Sequence, residues 1–128
     1  MMPLTREWVE KAENDFNSAK RLARARKMPD FDGACFHAQQ CAEKYMKARL
    51  QEAAIVFPKT HDLVILLNLV LSIEPTWGVW RTRLDLLSKA AVEIRYPGRT
   101  ATKSDARDAI ATCRSLRELA RAALGLPM

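Results

Sequence analysis

An all-α fold, an up-and-down antiparallel helical bundle of four long helices plus one short helix, is what this sequence predicts, and three observations predict it. Apolar residues recur at three- and four-residue spacing through five stretches. Each stretch opens on a Thr or Asp able to cap it. Only 4 Gly and 6 Pro punctuate 128 residues, too few for the many turns of a β architecture. The length suits one domain over residues 1–128, and 48% hydrophobic with 28% charged residues is the composition of an ordinary soluble protein.

Thr5 is placed to cap a first helix over about residues 6–27, with Glu7 in its opening turn. Trp8, Val9, Ala12, Phe16, Ala19 and Ala23 share one face up to the Lys27-Met28-Pro29-Asp30 break. Asp15 falls inside that face, either as a boundary acid or as a carboxylate that anchors a basic or imidazole side chain across the bundle. Asp30 or Asp32 caps a second helix ending near Ala53. Its stripe of Phe31, Ala34, Ala38, Cys41, Ala42, Tyr45 and Ala48 is dominated by small residues, which let helices approach closely, so this should be the central helix.

Pro58 closes the next connection, Thr60 caps, and Asp62 favours the dipole in the first turn of a short apolar third helix over about 61–72. Thr76 caps a fourth helix facing inward through Trp77, Trp80, Leu84, Leu87, Ala91 and Ile94. Two tryptophans a turn apart suit a core or a dimer seam better than a base-stacking platform. Arg95-Tyr96-Pro97-Gly98 stops the helix, because Pro97 disfavours helical geometry at Tyr96 and brings no amide donor. Thr102 caps the last helix with Asp105 in the capping-box position, and Ala106, Ile110, Cys113, Ala120 and Leu124 face inward.

The formal charge of +6 makes phosphate-bearing partners plausible. Cys35, Cys41 and Cys113 are odd in number and lack ligand spacing, which reads as packing thiols with no disulfide, no metal and no cofactor. The amino terminus lacks a signal-type apolar run and no segment approaches about 18 apolar residues, so a cytoplasmic protein without a membrane span is expected.

The polar residues are organised too. In Phe36-His37-Ala38-Gln39-Gln40-Cys41-Ala42-Glu43-Lys44-Tyr45-Met46-Lys47-Ala48, the side chains of His37, Gln40, Lys44 and Lys47 fall within roughly an 80° arc at 100° per residue. Such an arc is the material of a nucleotide or phosphate site, and equally of a solvated helix face. His61, at the start of the third helix, lies near backbone donors that bind anions, or else packs on the loop as a cap residue. Phosphate-binding glycine loops, HExxH and paired CxxC are all missing, and the two histidines stand 24 positions apart with no sequence nucleophile beside them.

Ala12-Glu13-Asn14-Asp15-Phe16 with Ala19, Phe36-His37-Ala38-Gln39-Gln40-Cys41-Ala42-Glu43-Lys44 with Lys47-Ala48, Thr60-His61-Asp62-Leu63 with Leu66, and Arg95-Tyr96-Pro97 together resemble the HEPN family. These are helical domains of higher eukaryotes and prokaryotes named for nucleotide binding, and the resemblance spans about residues 5–122. It implies an up-and-down bundle, usually a homodimer, encoded beside a small nucleotidyltransferase in a pair of toxin-antitoxin type. Many relatives are ribonucleases whose motif is an Arg followed after four to six residues by a His. Arg95 matches the arginine, but Thr100, Ala101 and Thr102 stand where the histidine would follow, so no imidazole is supplied in sequence to move a ribose proton.

The function expected is therefore a binding module, a homodimer holding a nucleotide or nucleotide-bearing substrate for a nucleotidyltransferase. Arg95 and Lys44 or Lys47 would meet phosphates, while His37, Gln40 and His61 would give directed hydrogen bonds. Tyr96 would stack on a base, and Asp15 would support the site. The alternatives are a ribonuclease with Arg95 stabilising the developing phosphorane and His61 as base, and a purely structural dimer. RNA is the less favoured ligand.

Overall fold

Pro3 begins α1 (Pro3–Arg24) two residues before the expected cap, because a proline at the first helical position has its φ already set and loses no needed donor. Thr5 accordingly sits inside the helix and is buried, not at its end. The computed structural model describes all 128 residues, and every regular element in it is helical. α2 (Phe31–Glu52) is capped by Asp30, whose Oδ1 accepts from Gly33 N at 2.8 Å. Asp32 instead reaches across to Ala101 N at 2.6 Å.

α3 is shorter than the spacing suggests, Leu63–Val70, and its cap is Asp62, which accepts from Val64 N and Ile65 N. Thr60 lies one step back, its hydroxyl accepting from Asp62 N at 3.1 Å. The fourth stretch also divides. Pro75–Trp80 is a 3-10 helix without a side-chain cap, and α4 (Arg81–Glu93) follows it, so Thr76 caps nothing. α5 (Lys103–Ala123) begins with the expected box, Thr102 Oγ1 accepting from Asp105 N at 3.1 Å and Asp105 Oδ2 from Thr102 N at 2.9 Å. No helix is long and apolar enough to cross a membrane.

α2 is the central element, packed against α1, α3, α4 and α5. Ala34, Ala38, Cys41, Ala42 and Ala48 on α2 and Ala12, Ala19, Cys113 and Ala120 on its neighbours are all at or near zero exposure, so small side chains set the close approach. α1 and α2 form an antiparallel hairpin. α5 runs in the same direction as α2: Asp32 meets Ala101 at one end, and Tyr45 Oη accepts from Arg121 at 3.0 Å farther along. These two are the diagonal pair of the bundle. Trp77 enters the core at 2% exposure and Trp8 packs edge-on against Phe57, so both rings are used within this chain.

One polar network pins three helices together. Glu13 of α1 accepts from Arg117 Nε at 2.7 Å and Nη2 at 2.8 Å on α5, and from the Tyr45 hydroxyl on α2. Burial pushes the Glu13 carboxyl up, but the hydrogen bonds from Arg117 and Tyr45 outweigh it and hold the group below its ordinary 4.5. Burial and that same carboxylate raise the Tyr45 hydroxyl.

Candidate functional site

The antiparallel hairpin sets Asp15 of α1 opposite two residues of α2 that are seven apart, about two helical turns. Asp15 is 8% exposed and uses both carboxylate oxygens: Oδ1 accepts from His37 Nδ1 at 2.8 Å, and Oδ2 from Lys44 Nζ at 2.6 Å. Of the two roles the sequence leaves open for Asp15, the geometry is that of the anchoring carboxylate.

A second assembly has the same connectivity. Glu43, 2% exposed, accepts from Lys47 Nζ at 2.9 Å through Oε2 and from His61 Nδ1 at 2.9 Å through Oε1. Gln39 Nε2 adds a bond to Glu43 at 3.2 Å and another to the His61 carbonyl at 2.8 Å. Gln40 donates to Gln39 Oε1 at 2.8 Å. A carboxylate only accepts, so in both assemblies the hydrogen sits on Nδ1 and Nε2 is the nitrogen left for other partners. The His37 ring is 32% exposed and the His61 ring 72%.

Arg95 follows the end of α4 with its guanidinium 5.1 Å from the Phe36 ring, and Phe36 meets the His37 ring edge-on at 5.3 Å. Tyr96 beside it is exposed. The residues singled out from the sequence thus come together as two groups. One is Asp15, His37, Lys44 and, through Phe36, Arg95. The other is Gln40, Lys47 and His61, held by Gln39 and Glu43. His61 takes its contacts from Glu43 and Gln39, and the imidazole beside the Arg95 stack is that of His37.

Two expectations change. His61 stands before α3, and Asp62 occupies the backbone donors of that helix start at 2.9 and 3.4 Å, so the route from a helix terminus to an anion there is filled by a side chain. Lys47, read as part of a polar arc, is 6% exposed with its ammonium 5.4 Å from the Trp8 ring. The arc lies along the seam with α1, not in solvent, and both of its lysines are held by carboxylates.

Four partners were not singled out: Gln39, Glu43, Ser18 and Arg21. Glu43 carried a signal, since it precedes Lys47 by four and such a pair shares a helix face. Ser18, Arg21, Leu22 and His37 line an open surface cavity of about 390 Å³ between the end of α1 and the start of α2. A larger cleft of about 760 Å³ opens between α4 and α5, with Cys35, Arg83, Leu86 and Asp108 among its walls. Burial pushes the Cys35 thiol up to about 11 and lifts Cys41, packed against Cys113, well above its ordinary value, so these thiols are held protonated. No group of three or more His, Cys, Asp or Glu side chains is arranged to hold a metal ion.

A family model described as HEPN domain matches residues 5–123. Among solved structures, the crystal structure of TT1696 from Thermus thermophilus superposes with a TM-score of 0.80 at 21% sequence identity, over 95% of this chain and 99% of that one. At that identity the likeness speaks for the fold. No curated protein matches the chain.

Proposed function

The chain belongs to the HEPN domain family, and we propose that it is a nucleotide-binding or nucleotide-bearing-substrate-binding helical module, acting as a homodimer alongside a separate nucleotidyltransferase in a toxin-antitoxin-like pair. The observation that carries this reading is the pair of matching assemblies on α2. Two imidazoles are fixed through Nδ1 by buried carboxylates, Nε2 of each makes no hydrogen bond within the chain, and Arg95 and Tyr96 follow the end of α4. Preorganised hydrogen-bonding groups beside an unpaired guanidinium and an exposed aromatic ring supply direction, charge and a stacking surface. Lys44 and Lys47 contribute by holding the carboxylates, which balance their charges.

A dimer is supported by apolar side chains left exposed toward α4, Val79 at 83%, Leu86 at 62% and Val92 at 53%. Calorimetry with common nucleotides tests the ligand. Binding that falls with salt and is lost in Arg95→Ala upholds the reading, and no binding at millimolar nucleotide ends it. Coexpression with the product of the neighbouring gene tests the partner, and sedimentation showing a monomer stable to dilution removes the dimer.

One observation favours a second reading. The imidazole adjoining Arg95 is His37, so a ribonuclease built on this chain would use His37 and not His61. Metal-independent RNA cleavage abolished by either Arg95→Ala or His37→Ala would replace the binding role with that one.

A further inference from the structure

We propose that Arg21, Ser18 and His37 form a phosphate subsite in the cavity between the end of α1 and the start of α2, and that the phosphate group of a nucleotide docks there instead of on the lysines of α2. The subsite rests on the nucleotide reading above for the nature of its ligand and departs from it in the residues that meet the phosphate.

The lysines of α2 are already engaged. Lys44 lies 2.6 Å from Asp15, and Lys47 lies 2.9 Å from Glu43 and is almost wholly buried. Each ammonium is already balanced by a carboxylate, so neither offers a phosphate an uncompensated positive charge. Arg21 has no carboxylate partner. Its only side-chain bond is from Nη2 to Ser18 Oγ at 3.3 Å, which steadies the guanidinium at the cavity wall and leaves its other N–H groups free. A guanidinium fork matches two phosphate oxygens at once, which an ammonium does not.

His37 supplies the second contact. Asp15 holds Nδ1, and the ring lines the same cavity as Arg21 and Ser18. Lys44 offsets the Asp15 charge from the far oxygen, so the carboxylate that orients the ring does not present an unbalanced negative charge to an arriving anion. With Nδ1–H given to Asp15, Nε2 meets a phosphate oxygen through one hydrogen, carried by an imidazolium facing the dianion or by a phosphate monoanion facing the neutral ring. The Ser18 hydroxyl, accepting from Arg21, still has its own hydrogen to donate.

The test is a titration of protein carrying 15N-labelled histidine with inorganic phosphate, ADP and adenosine, together with calorimetry on wild type and Arg21→Ala. Arg21 is exposed, so the variant keeps its fold. Phosphate and ADP, but not adenosine, should shift the His37 Nε2 resonance, and Arg21→Ala should weaken both about tenfold, the loss of one charge-assisted hydrogen bond. ADP binding that Arg21→Ala leaves unchanged overturns the subsite while the nucleotide reading stands. Phosphate moving His37 without any nucleotide binding upholds the subsite and overturns that reading. A His37 resonance indifferent to millimolar phosphate and ADP overturns the proposal outright.

Discussion

Replacing Glu43 by Gln removes one charge and almost no volume, which isolates the electrostatics of the second assembly. The carboxylate is 2% exposed and Lys47, its partner at 2.9 Å, is 6% exposed. In the wild type the pair is neutral, and the remaining carboxylate oxygen is filled by His61 and Gln39. In Glu43→Gln the Lys47 ammonium is left beside Trp8 with no counter-charge, and one face of the new amide presents a donor to the donors around it. Removing one member of a buried pair costs about 3–5 kcal/mol, and the flexible lysine stem recovers part of that by carrying its head toward water, so about 3 kcal/mol is expected. For a domain of this size about 3–5 °C accompanies each kcal/mol, giving a fall in Tm of roughly 9–15 °C. Urea and thermal denaturation of Glu43→Gln, Lys47→Met and the double variant close a cycle. The double variant should be more stable than Glu43→Gln alone, with a coupling above about 1 kcal/mol. A Glu43→Gln protein within about 1 kcal/mol of wild type, or strictly additive single costs, would refute the burial argument.

Glu13→Gln should destabilise at neutral pH and lose its effect in acid. The folded Glu13 sits below its ordinary 4.5, so its stabilisation is present above the unfolded value and disappears as pH falls through the folded one; melting curves of both proteins from neutral pH downward should converge there. Thr102→Ala breaks the capping box of α5 and should cost about 1 kcal/mol in urea denaturation, whereas Thr100→Ala, outside the box, should be close to neutral. Cys35, with its thiol raised to about 11, should resist iodoacetamide near neutral pH and react at the rate at which the protein unfolds; prompt labelling of the native chain would contradict its burial.

The helices were legible because their signals are local. Thr102 and Asp105 are three apart and make their box with nothing else, and the alanine stripe of α2 marked it as the helix others approach. The division of the fourth stretch was not legible, since its apolar spacing continues unbroken through Trp77, Trp80 and Leu84 while the turn from Pro75 to Trp80 is wound more tightly. The site divides the same way. Asp15 stood out as an acid on an apolar face, and the structure gives it the two partners such a residue needs. Glu43 did not, although it sits about 40° from Lys47 on the helical wheel. A wheel gives a residue's bearing on its own helix and says nothing of what lies across from it. Lys47 is therefore offered by the wheel as a phosphate contact where Trp8 covers it, and Arg21, on another helix, has no sequence link to His37.

The cleft beside α4 has a consequence for motion. α4 packs on α2 and α3 and only slightly on α5, its lead-in is a 3-10 turn, and neither carries a side-chain cap at its start. An element anchored on so few sides opens at a lower free energy than the whole molecule, so its amides exchange with solvent before those of α2, which is enclosed by the four other α-helices. Arg95 and Tyr96 lie just beyond the end of that helix. A ligand that engages them binds the closed form and not the opened one, so occupancy is reported along α4 as slowed amide exchange, many residues from the point of contact.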